Sequence, residues 1–131
     1  MKAFTQYNTF PVTPEVLFRA FTNAFTLELW TGEPAHSDVR PGGAFSWLDG
    51  NIVGKYLDIE HDKMIRQQWF FGAESSEAEL ILKFHSKGSG TSLETRFTNL
   101  PIEAAEDIKQ GWNDVVITNL QAYYSEEQTV N

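Results

Sequence analysis

The stretch 42-GGAFSWLDGNIVGKYLDIEHDKMIRQQWFF-71 decides the fold. Two turn signals, Asp49-Gly50 and His61-Asp62-Lys63, separate runs rich in Val, Ile, Tyr, Phe and Trp. Such runs favour a pleated, half-buried backbone, and an Asp-Gly pair accepts the positive φ that a tight hairpin turn demands. The stretch therefore predicts three strands folding back on one another. Its large aromatic side chains can pack a plain core, line a ligand cavity or form a surface for another protein.

The pattern extends downstream. In 78-AELILKF-84, Ala78, Leu80, Leu82 and Phe84 share one face, and Glu79, Ile81, Lys83 and His85 share the other. After a KGSG turn at 87–90, Leu93, Thr95 and Phe97 alternate with Ser92, Glu94 and Arg96. Period-two alternation of this kind predicts a sheet with one buried and one wet face. Upstream, residues 1–12 have strand character. Thr13 can cap a helix, Pro14 suits its first position and Glu15 favours its positive end. Asn23 can cap a second helix ending near Trp30-Thr31-Gly32, so two short helices are expected over residues 14–31. A short strand is expected around Ala35 to Val39, and a polar turn at 73-AESSE-77.

The C-terminal segment changes period. Ile108, Trp112, Val115, Val116, Asn119, Leu120 and Tyr123 recur at spacings of three and four, which predicts one long helix over about residues 103–125. Gly111 lowers helix propensity by roughly 1 kcal/mol relative to Ala, and beside Trp112 it either marks the close approach of another backbone or is simply tolerated. The order is strand, two short helices, about six further antiparallel strands and one long helix. The long helix is the element large enough to cover the apolar face of the sheet, and a cavity can remain between them.

Composition narrows the function. A chain of 131 residues is most simply one domain. Without cysteine it has no disulfide, thiolate metal site or cysteine nucleophile, which fits a reducing compartment. The N-terminal residues carry no signal-peptide pattern, and no run nears the roughly 18 apolar residues of a membrane span. A cytoplasmic protein is expected. The net charge of −8 and the scattering of ten basic residues argue against nucleic acid and against an anionic membrane surface. The same acidity suits a partner with a basic face.

Little in the chain marks catalysis. His36, His61 and His85 fall in different segments and lack metal-binding spacing, so neither a metal nor a cofactor is expected. The DIEHD cluster at 58–62 and the GSGTS run at 88–92 read as hairpin turns. No nucleophile is framed with a base. Gln67, Tyr56 and Asn119 are polar residues in apolar settings. Each either orients a ligand or finds a backbone or water partner.

The helix corner, hairpins and closing helix resemble the helix-grip fold of the START and birch-pollen-allergen superfamily. The likeness reaches individual motifs: Gly42, Gly43 and Phe45; Gly50, Asn51 and Gly54; Trp69; and Gln110, Gly111 and Trp112. In this order they resemble the C-terminal domain of the activator of the heat-shock-protein-90 ATPase, over about residues 7–124. That resemblance implies an α+β helix-grip domain: a curved antiparallel sheet of six to seven strands around a long helix. The eukaryotic co-chaperone also has an N-terminal domain that supplies most of the chaperone contact, and nothing here resembles it. The chain therefore reads as the C-terminal domain standing alone.

Three functions follow. A non-enzymatic module touching a heat-shock-90-type chaperone predicts a closed core and exposed apolar or acidic patches. A carrier of a small apolar ligand predicts a pocket lined by Phe45, Trp47, Tyr56, Trp69, Phe84, Trp112 and Val116. A polyketide-cyclase-like enzyme needs acid-base groups in that pocket, where Tyr56 and His85 are the candidates.

Overall fold

The computed structural model describes residues 1–71 and 76–130, with side chains described through residue 125. Strand β1 (Lys2–Phe10) is followed by helices α1 (Pro14–Thr22) and α2 (Ala24–Thr31). Strands β2 (His36–Ser37), β3 (Ala44–Trp47), β4 (Ile52–Glu60), β5 (Met64–Trp69), β6 (Glu79–Lys87) and β7 (Gly90–Leu100) come next. The chain closes with a helix in three parts: α3 (Ala105–Gly111), a π-helical segment (Trp112–Ile117) and α4 (Thr118–Val130). The seven strands form one antiparallel sheet in the order β1-β7-β6-β5-β4-β3-β2. This is the helix-grip α+β architecture expected from the sequence.

Local chemistry sets the elements. The Thr13 hydroxyl accepts from the Val16 amide at 3.4 Å, and the Asn23 side chain accepts from the Thr26 amide at 2.9 Å. Gly32, at φ 74°, ends α2 in the left-handed conformation that L-residues avoid. The short strand expected at 35–39 shrinks to His36–Ser37. The polar turn expected at 73–77 falls largely outside the described residues. On β4, Gly54 is obligatory: a β-carbon there would collide with the Gln68 carbonyl oxygen and the Phe45 ring. A register shift between Tyr56 and Asp58 bends β4, as a bulge does, and helps the sheet curve around its contents.

The closing helix departs from the sequence pattern. The Thr118 amide bonds to the Asn113 carbonyl, five residues back, and the Thr118 hydroxyl reaches the same oxygen at 2.8 Å. The Asn113 side chain bonds the Lys109 carbonyl and forms a reciprocal amide pair with Gln6 on β1, at 2.8 and 3.0 Å. The wider turn rotates the residues that follow it. Trp112, Val116, Leu120 and Tyr124, spaced by four, become the buried row, and Ile117 is buried with them. Asn119 is turned to solvent, so it is not a polar group in an apolar setting. The helix begins at Ala105, two residues later than expected, and its backbone runs on to Val130.

The long helix does not cover the sheet alone. Leu17, Phe18, Ala20 and Phe21 of α1, with Leu27 and Trp30 of α2, belong to the same core. Trp30 locks the two short helices together by donating from Nε1 to the Ala20 carbonyl at 2.8 Å.

Candidate functional site

The interior is closed by rings. Phe21 of α1 is fully buried and touches four aromatic side chains at centroid distances of 6.0–6.2 Å: Trp30, Trp47, Phe84 and Trp112. Phe45 lies 5.3 Å from Trp47 and 5.6 Å from Tyr56. Of the seven residues expected to line a cavity, Phe45, Trp47, Tyr56 and Phe84 stand in this packed cluster. Phe21, missing from that set, is the side chain that occupies its centre.

Polar groups inside are few. The Tyr56 hydroxyl and the Ser37 hydroxyl are 2.6 Å apart. Burial pushes the Tyr56 phenol above its ordinary value, opposed by that hydrogen bond. The Gln67 carbonyl oxygen accepts from Trp69 Nε1 at 3.0 Å. The indole nitrogens of Trp47 and Trp112 and the Thr95 hydroxyl have no hydrogen-bond partner among the described residues. Tyr56 faces the interior, whereas His85 lies on the outer face of β6 with Nε2 2.9 Å from Glu94. The two acid-base candidates are therefore on opposite faces of the sheet and cannot meet one substrate. Among the described residues no three His, Asp or Glu side chains are grouped to hold a metal ion.

The remaining three candidates, Trp69, Trp112 and Val116, form part of an apolar groove of about 240 Å³. It runs between the closing helix and the β3–β4 and β5 edges. Ile108, Gly111 and Val115 contribute from the helix, and Leu48, Ile52 and Phe71 from the opposite wall. Among the described residues no charged side chain lines it. Two backbone features shape it. Leu48 adopts a left-handed φ of 55°, a cost of roughly 1–2 kcal/mol for an L-residue. This conformation lets the turn put a half-buried leucine at the groove. Gly111 has nothing within 4 Å of the position a β-carbon would take. No other backbone approaches it, so of the two readings of this glycine the close approach is not the one realised. The glycine instead leaves a notch in the helix surface. Ile108 and Val115 were legible as part of a helical stripe, but nothing in the sequence showed that the β3–β4 turn would supply the opposite wall.

A family model described as Activator of Hsp90 ATPase homolog 1-like protein matches residues 11–125. The chain belongs to this family. The mouse protein Activator of 90 kDa heat shock protein ATPase homolog 1 is 32% identical over 124 residues, covering 93% of this chain and 34% of its own. An HSP90 activator from Plasmodium falciparum superposes with a TM-score of 0.87 at 30% identity, covering 94% of this chain and 96% of that one. CalU16 from Micromonospora echinospora superposes with a TM-score of 0.80 at 21% identity, covering 97% and 78%, and shares the fold. The chain spans about one third of the length of the curated relatives it matches. This Activator of Hsp90 ATPase homolog 1-like domain has, among its described residues, no helix long and apolar enough to cross a membrane.

Proposed function

We propose that this chain is a non-enzymatic binding domain that docks on a heat-shock-90-type chaperone and modulates its ATPase. The observation that carries the reading is the closure of the interior around Phe21, which leaves contact with a partner to the surface. Family membership supplies the class of partner, because the mouse and Plasmodium proteins bear the activator name. Apolar side chains are available outside: Phe25 and Leu29, one turn apart on α2, are 70% and 51% exposed. The separation of Tyr56 from His85 speaks against these two residues acting together as an acid-base pair.

A carrier of a small apolar ligand is the second reading, favoured by the uncharged groove against Trp69 and Trp112. At about 240 Å³ the groove is smaller than the roughly 300–1,000 Å³ usual for ligand pockets. Two-dimensional amide NMR of the labelled protein separates the two. Adding the host's own heat-shock-90-type chaperone should shift surface amides and accelerate the chaperone's ATP turnover. Shifts confined to the interior aromatics on adding fatty acids, sterols or flat aromatics, with no response to the chaperone, would replace docking with carriage.

A further inference from the structure

We infer that the groove at Gly111 receives one apolar side chain of a partner polypeptide, flanked in that partner by Lys or Arg. This deepens the docking reading by stating the chemistry of what docks. The groove's described wall carries no charged side chain, but exposed aspartates adjoin it. Asp107 stands one α-helical turn before Gly111 on α3 and is exposed. The notch left by the glycine therefore has a carboxylate one turn before it. On the facing wall, exposed Asp49 sits at the tip of the turn that supplies Leu48 and Asn51 to the groove. Lys109, on this stretch of helix, lies over the Phe4 ring at 5.6 Å, on the flank facing β1 rather than the groove.

The occupant must match both parts. An apolar anchor gains by entering the uncharged groove against Trp69 and Trp112, as anchors at binding hot spots do. The adjoining chain crosses a rim of aspartates, which draws basic residues and repels acidic ones. The groove's volume suits one or two side chains. The net charge of −8 sets the same preference over the whole surface.

The test uses two labelled synthetic peptides with one central phenylalanine, flanked on both sides by lysines or by glutamates, read by fluorescence anisotropy on the full chain. The lysine peptide should bind and the glutamate peptide should not. Gly111→Leu should weaken the lysine peptide about tenfold by filling the notch. It should keep the fold and raise the melting temperature, because Gly111 has an ordinary helical φ of −61° and open space beside it. The double variant Asp49→Asn/Asp107→Asn should weaken binding and flatten its salt dependence. Equal binding of the two peptides, or unchanged binding to Gly111→Leu, overturns the inference. So does self-association of the wild type that Gly111→Leu abolishes, since the occupant is then a second copy. A chaperone ATPase accelerated equally by wild type and Gly111→Leu leaves the docking reading standing and removes the groove from it. A chaperone indifferent to the wild type, with the lysine peptide bound and lost in Gly111→Leu, does the reverse.

Discussion

At the scale of single residues, Phe21 carries the most consequence. It is fully buried and meets four rings, so Phe21→Ala should cost about 3–5 kcal/mol in urea unfolding. A loss below about 1 kcal/mol would mean that the surrounding rings close over the gap and that Phe21 is not the plug. Thr95 gives the opposite expectation. Its hydroxyl is buried without a partner among the described residues, so Thr95→Val should stabilise the protein by about 1 kcal/mol, read in the same denaturation series. Tyr56 links burial to pH. Its folded pKa is raised by desolvation, so its contribution to stability is fully present below the unfolded value of about 10 and is lost as pH rises through the higher folded value. Unfolding free energies at about pH 9 and about pH 11 should fall less in Tyr56→Phe than in the wild type. An identical fall in both would show that the phenol is not the group responsible. The aromatic residues themselves were legible in the sequence. Their sorting into core and groove was not, because a ring that packs and a ring that lines a pocket look the same along a chain.

At the scale of elements, the strands and short helices follow from near neighbours: alternation, Thr13 and Asn23 as caps, and Gly32 as a stop. The closing helix shows where that reasoning ends. Its stripe at spacings of three and four assumed one uniform turn, but Asn113 is held by Gln6 across the fold and the turn widens there. The widening puts Ile117 inside and Asn119 outside. The amide pair should therefore couple the helix to β1. A double-mutant cycle of Gln6→Ala and Asn113→Ala should show an interaction energy of about 1 kcal/mol. Additive losses would mean that the helix keeps its place without that link.

At the scale of the whole molecule, charge governs association. With a net charge of −8, the proposed docking on a chaperone should weaken as salt rises, mainly through a slower on-rate, measurable by stopped-flow mixing at two ionic strengths. A salt-independent on-rate would assign docking to apolar contact alone. The sequence by itself determined the element order, the buried face of β6 and β7, the helix-grip architecture and the family, because periodicity, caps, turns and motifs are properties of adjacent residues. Only the tertiary structure decided which rings pack around Phe21, which side of the sheet holds Tyr56 and which holds His85, and whether another backbone approaches Gly111. Those answers depend on volumes contributed by segments far apart in the chain: Phe21 from α1 fills the space between sheet and helix, and Leu48 from a hairpin turn completes the groove beside Gly111.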